Sequence, residues 1–363
     1  MVSEMSDKPT NMNELRALFV KRAADVELNC DVLMDGILNA QLAIVAEAPG
    51  AVEIEQGRPL VGGSGKLLWQ ELRDVCGINR MECYVTNVIK KQLLATEHKR
   101  TVFPHEKAHW DELLRWELSC LPNLRYVLVL GNAALDAIIR DTGVNKWRGS
   151  VVPYRRYPDS EPKTAVISFN PAAIIRDEKN KIAFRMDMHK LDRVMKGEHN
   201  EPKITAIINP SPTEAVEYIN RMHDEKLPVS IDIETISGET ACVGLGNSAH
   251  EGMCINFRDR TKNRWSVQEE QEVRNALDSL ARDRAVRFVA QNGVFDATWL
   301  WFKDRIKMHG VWFDTLLAHH ALYPALPHNL GFLTSMYTDH PYYKDEKADW
   351  PEGIRNEDPF GRC

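Results

Sequence analysis

Two carboxylates stand one residue apart in the run Ser230–Thr235, SIDIET. In an extended strand the side chains of residues i and i+2 project to the same side. Asp232 and Glu234 would then point together, while Ile231, Ile233 and Thr235 point away. Two carboxylates held side by side repel unless a cation neutralises them, and hard oxygen donors suit Mg²⁺ or Mn²⁺. A half-exposed strand with two surface acids gives the same D-x-E pattern, so the pair alone leaves both readings open. A second element, QNGVFDATWL, bears on the choice. There Asn292 is placed to cap a helix that carries Asp296 one turn in, back toward the sheet.

These residues need a scaffold, and the pattern of the chain describes one. In the first half, short apolar runs at 42–46, 83–89, 126–130 and 164–169 alternate with helical patterns at 64–75, 107–121 and 133–140. Alternation of this kind predicts a parallel sheet covered by helices on both faces, with polar loops beyond the carboxyl ends of the strands. Those loops begin AEAPG, TNVIKK, LGNAAL and SFNPAA. The polar, aperiodic stretch 196–202, KGEHNEP, is the expected linker. Beyond it, strands are expected at 204–208 and 286–290, an antiparallel meander at 229–235, 241–245 and 252–257, and helices at 268–281, 295–302, 313–323 and 330–337. Ser211 or Thr213 is placed to cap a further helix.

Composition narrows the classes. The 363 residues carry 46 Lys+Arg against 52 Asp+Glu, and 44% are hydrophobic, which excludes a largely disordered, collagenous or coiled-coil chain. No apolar run approaches the ~18–20 residues of a membrane span, and the start MVSEMSDKPTN lacks the layout of a signal peptide. Seven cysteines form no CxxC pair, so free thiols in a reducing, cytoplasmic setting are expected. Residues 140–196 hold 13 basic and 7 acidic residues, a surface able to meet phosphates or simply a solvated helical face. The half from residue 201 onward has 18 basic and 25 acidic residues and would repel nucleic acid unless some carboxylates hold metal ions.

DIET followed by NGVFD resembles the first two motifs of the 3′–5′ proofreading exonuclease domain of family A DNA polymerases, whose fold is ribonuclease H-like. FDTLLAHHALYP and HNLGFLTSMY are similar to the same family, particularly its phage branch, over roughly residues 203–360. The resemblance implies that Asp232, Glu234 and Asp296 are metal ligands of a two-metal, Mg²⁺- or Mn²⁺-dependent hydrolase acting on a single-stranded 3′ end. Asp314, in the matching FDT block, reads as a helix N-cap. The family's third motif, an Asp with a water-orienting Tyr, would fall just beyond DPFGRC, and Tyr343 and Asp349 are not a substitute for it. The exonuclease fold is therefore expected to be incomplete at its C-terminus.

AEAPGAVEIEQGRPLVGGSGKLL does not fit a P-loop: Leu60 stands at the first Gly position and Leu67 follows Gly65-Lys66. The block resembles instead the first motif of the iron–sulfur branch of the uracil-DNA glycosylase superfamily. TNVIK, VLVLGNAAL and SFNPAAIIR resemble its later blocks, over about residues 40–195. The resemblance implies that Glu47 lies near the sugar and attacking water, and that Asn87 reads the uracil edge. A helix-start carboxylate and a buried polar tie are the plain alternatives for these two residues. Leu60 replaces the family's uracil-stacking Phe, and Asn170 replaces its His, removing a charged donor to the departing base. Only Cys30 and Cys120 match cluster cysteines, so no iron–sulfur cluster is expected.

The expected organisation is an α/β chain with a helical extension (1–39), a glycosylase-like α/β/α sandwich on a parallel sheet (40–195), the linker (196–202) and a mixed-sheet exonuclease-like domain (203–363). The order resembles the amino-terminal half of phage-type family A polymerases, and implies DNA as partner together with a C-terminal polymerase portion or other replisome proteins. The alternatives are a non-catalytic DNA-holding module and a uracil-excising repair enzyme.

Overall fold

The computed structural model describes residues 8–93, 104–155, 161–259 and 262–342. Two compact units emerge: one holds the chain through Asn200 together with Thr334–Tyr342, the other Glu201–Leu333. Among the described residues no helix is long and apolar enough to cross a membrane.

The first unit runs α1 (Met12–Ala24), β1 (Asp35–Gly36), β2 (Leu42–Ala46), α2 (Ala51–Gln56), α3 (Gly63–Cys76), β3 (Tyr84–Asn87), α4 (Pro104–Ser119), β4 (Tyr126–Leu130), α5 (Asn132–Ile139), α6 (Val144–Trp147), β5 (Val151–Tyr154), β6 (Lys163–Ser168), α7 (Pro171–Arg176) and α8 (Lys181–Met195). Its sheet has the order β1-β3-β2-β4-β6-β5. The four central strands are parallel, and β2 is buried along its whole length, as a sheet covered on both faces requires. The edges depart from the expected all-parallel sheet, since β1 and β5 pair antiparallel. Both are short and only partly buried, and Pro153 suits an edge position, so neither leaves an apolar run to read.

The buried charge of this unit includes two hydrogen-bonded clusters. Lys90 and Glu117 are fully enclosed, with Nζ 2.7 Å from Oε2. The ammonium also donates to Thr86 Oγ1 at 2.6 Å and to the Asn87 carbonyl, and Tyr84 Oη donates to Glu117 Oε1 at 2.8 Å. Farther along the chain, Arg148 forms a buried ion pair with Asp187 and donates to Ser335 Oγ at 2.8 Å. Lys190 Nζ donates to the carbonyls of Gly149, Ser335 and Thr338 at 2.7–2.8 Å. Arg193 pairs with Asp339. These bonds fasten Thr334–Tyr342 into the first unit.

The second unit contains β7 (Thr205–Ile208), α9 (Pro212–Glu225), β8 (Val229–Ile236), β9 (Glu239–Gly246), β10 (Glu251–Asn256), the two-residue ribbon β11 (Arg258–Asp259) and β12 (Lys262–Asn263), α10 (Val267–Arg282), β13 (Phe288–Ala290), α11 (Val294–Phe302), β14 (Val311–Asp314) and α12 (Thr315–Leu322); α13 (Leu330–Tyr337) follows in the chain. Ser211 caps α9 in a reciprocal box with Glu214. The sheet order is β14-β13-β8-β9-β10-β7. β8, β9 and β10 form the expected antiparallel meander, whereas β14, β13 and β8 run parallel. One expectation fails here. The 313–323 stretch is not one helix, because Phe313 and Asp314 pair with Val289 and Ala290 as strand before the helix begins at Thr315. The apolar run continues unbroken across that boundary, so periodicity alone does not reveal it.

Candidate functional site

In β8 burial alternates as the spacing dictates: Val229, Ile231 and Ile233 are buried, Asp232 is exposed and Glu234 is half-buried. The parallel partner β13 leads through a three-residue turn into α11, which brings Asp296 back to this strand. Asp296 is 3% exposed, and its Oδ1 accepts the Ile233 N–H at 3.0 Å. Burial, and then the negative charge of Asp232, push the Asp296 carboxyl up to about 6, with Asp314 adding to the effect and the Ile233 N–H opposing it.

The turn itself explains the placement. Asn292 adopts a left-handed backbone with φ of 61°, so it is not the helix cap expected of it; Gly293 occupies that position. A Cβ on Gly293 would lie 2.7 Å from Ala290 Cβ and 2.9 Å from a Val311 methyl, so only glycine fits there. Asp314 does more than cap. It accepts the N–H groups of Leu316 and Leu317 at the start of α12, and also those of Asn292 and Gly293 at the entry to α11. One carboxylate therefore fixes the starts of two helices. The FDT block signals the cap, but nothing local signals the second grip.

The donor chemistry suits a hard divalent cation: Asp232, Glu234 and Asp296 offer only oxygen, and Asp296 carries a charge conflict that a cation would relieve. Among the described residues, no three His, Cys, Asp or Glu side chains are gathered closely enough to hold a metal ion by themselves. Mg²⁺ sites commonly combine one or two carboxylates with waters and substrate phosphates rather than an all-protein cage, and this donor set fits that type.

In the first unit, Glu47, Asn87 and Asn170 share the carboxyl edge of the parallel sheet. Glu47 directly follows β2, whose Ala46 is level with Asn87. Asn170 caps α7 just after β6, its Oδ1 accepting the Ala172 N–H at 3.0 Å. Gly131, just after β4, approaches Asn170 so closely that a Cβ there would lie 2.9 Å from Asn170 Cβ. Asn87 is 2% exposed, and its Nδ2 has no acceptor among the described residues. A buried amide donor without a partner is expensive unless a ligand supplies one. Leu60 is buried on the loop between α2 and α3, where its carbonyl accepts from Trp69 Nε1 and Arg80.

Nothing in the sequence alone singles out Lys90. Its only signal is a lysine at the end of an apolar strand-and-loop run, with a glutamate inside a helical pattern to meet it. The iron–sulfur group implied by the branch does not fit the residues present. Cys30 and Cys120 are the two thiols at cluster positions, too few to hold a four-iron cluster, and Lys91, beside Lys90, pairs with Glu106.

Comparison with known proteins agrees with this division. Residues 34–192 match the model of the uracil DNA glycosylase superfamily, and residues 207–358 match that of a 3′-5′ exonuclease. The type-4 uracil-DNA glycosylase of Thermotoga maritima is 29% identical over 153 residues, covering 42% of this chain and 74% of that protein. The enzyme of the same name from Archaeoglobus fulgidus is 26% identical over 185 residues, covering 49% and 89%. Among solved structures, the EXD2 exonuclease domain soaked in Mn and GMP matches 40% of this chain and 74% of its own at 12% identity and a TM-score of 0.25. The chain thus joins a uracil DNA glycosylase superfamily domain to a 3′–5′ exonuclease domain.

Proposed function

We propose that this DNA-processing chain removes nucleotides from single-stranded 3′ ends through Asp232, Glu234 and Asp296, with Mg²⁺ or Mn²⁺ as cofactor. The observation that carries the reading is the buried Asp296 carboxyl, delivered by α11 to the strand that bears Asp232 and Glu234. When bound, the cation would supply a polarised phosphate and a water of lowered pKa. The protein's own part is positional. The Ile233 N–H orients one Asp296 oxygen, Gly293 permits the close turn, and Asp314 holds the helix start that aims Asp296. The test is hydrolysis of a 5′-labelled single strand with Mg²⁺ or Mn²⁺. Shortening from the 3′ end should be lost in EDTA and in Asp232→Ala and Asp296→Ala. Degradation that persists in either variant would remove these residues from the reaction.

A second reading belongs to the first unit. The partnerless Asn87 amide favours a base-edge contact, and the type-4 uracil-DNA glycosylase relatives favour uracil as that base. Asn170 provides no charged donor for the leaving base, so excision should be weak and the domain serves mainly to grip DNA. The order of the two domains supports a place beside a polymerase, resembling the amino-terminal half of phage-type family A enzymes.

A further inference from the structure

The nuclease reading leaves unused a run of exposed aromatic side chains on the second unit. On α11 the helical repeat sets buried Asp296 and Leu300 on one side. Around the rest of the helix Phe295, Trp301 and Phe302 are 48%, 52% and 62% exposed. The following strand adds Trp312 and Phe313, at 57% and 44%. Two grooves flank the ridge formed by Val294 and Thr298. One, of about 400 Å³, contains Trp299, Phe302 and Lys303. The other, of about 680 Å³, contains Trp312, Phe313 and Leu317, with Asp314 in its wall bonded to the backbone N–H groups of two helix starts.

A purely apolar surface of this kind would say nothing about what it meets. Here cations are interleaved with the rings. Lys303 Nζ lies 5.6 Å from the Trp299 ring, Lys307 Nζ 5.7 Å from Trp301, and the Arg287 guanidinium 5.0 Å from Trp312. Asp304 is the one acid between residues 297 and 312. It is turned away, bonded to Arg274 and to Thr240 Oγ1. A strip that is cationic and aromatic, within a half of the chain that is acidic overall, offers phosphates a positive rail and bases a set of π-faces. Single-stranded nucleic acid is the polymer that has both.

We propose that α11 and β14, through Trp301, Phe302, Trp312, Lys303, Lys307 and Arg287, form a stacking platform that binds single-stranded DNA without sequence preference. The proposal rests on the nuclease reading for the identity of the polymer, but its test does not depend on hydrolysis.

The test is fluorescence anisotropy of the full chain with a labelled oligothymidylate of about a dozen nucleotides, in EDTA so that no cleavage occurs. Trp301→Ala/Phe302→Ala/Trp312→Ala should weaken binding by roughly tenfold or more, as loss of base stacking does. Trp301→Phe/Trp312→Phe keeps the rings and should retain affinity, which separates stacking from misfolding. Ile208→Ala, exposed on β7, should change nothing. Lys303→Glu/Lys307→Glu should flatten the dependence of log K on log salt by about 0.7 for each phosphate that is no longer neutralised. Unchanged affinity in the triple variant would overturn the proposal. So would intact DNA binding together with loss of concentration-dependent self-association, which would assign the face to a second copy of the chain. Failure of the nuclease reading is scored separately, by absence of metal-dependent shortening.

Discussion

Replacing Asp296 by Asn should make the metal-free protein more stable while abolishing the proposed hydrolysis. Asn is nearly the same size and keeps an Oδ1 to accept the Ile233 N–H, so the change removes charge and little else. The wild-type carboxyl is pushed from its ordinary 3.8 to about 6 by burial and by Asp232. That difference corresponds to on the order of 3 kcal/mol of unfavourable charge in the folded state. For an acid with a raised folded-state pKa, the contribution to stability is full below 3.8, where both states are protonated. It is lost as pH rises through 6. Asp296→Asn should therefore match wild type near pH 3.8 and exceed it above 6. For a unit of this size the gain corresponds to a rise in melting temperature of roughly 10 °C. Calorimetry in EDTA across that range is the assay, followed by Mn²⁺ at the neutral end. There wild type should gain stability by binding the cation in the folded state only, and the variant should gain much less. An advantage of equal size at every pH, or a variant less stable than wild type at neutral pH, would refute the reasoning.

Lys90→Met should destabilise the first unit by about 3–5 kcal/mol, because Glu117 is left as an uncompensated buried charge. Adding Glu117→Gln should recover most of that loss, and urea melts of wild type and the two variants check it. Uracil release from single-stranded DNA should be weak in the wild type and should rise in Asn170→His, which restores an ionisable donor. The same change removes the Asn170 cap of α7 and should lower stability by about 1 kcal/mol; a glycosylase assay and a thermal melt read the two effects separately. Purified protein should be colourless, and a brown preparation with stoichiometric iron would show that Cys30 and Cys120 ligate a cluster.

What could be read from the sequence was periodic or local. Alternation in SIDIET placed Asp232 and Glu234 on one side of a strand because a pleat repeats every two residues. The helix after NGVFD carried Asp296 back to that strand as its position in the first turn required. The Asp314 cap was equally local. The features that stayed hidden depend on residues distant in the chain. Nothing around Asn292 shows that Asp314 holds its N–H and that the backbone turns left-handed, which moves the cap to Gly293. Lys90 sits in TNVIKK beside another lysine and looks like solvated surface, yet Glu117 and Tyr84 draw it fully inside. β1, β5 and β14 are brief strands whose existence depends on a neighbour's ladder rather than on their own side chains.

The clasp around Thr334–Tyr342 has a consequence for the order of events during synthesis. The first unit is discontinuous: Arg148, Lys190 and Arg193 are all made early, but Ser335, Thr338 and Asp339, which complete their bonding, belong to a stretch translated more than a hundred residues later. At ~5–20 residues per second a ribosome takes on the order of ten seconds to cover that interval. Throughout it, the guanidinium of Arg148 and the ammonium of Lys190 must be hydrated or otherwise satisfied. The glycosylase-like sheet can assemble as soon as β6 emerges, but its last buried polar groups close only after the exonuclease sheet has been threaded out. Vectorial folding is thus interrupted and then resumed. Slower elongation within residues 201–333 would lengthen the period during which the first domain is exposed to chaperones and proteases with an open seam.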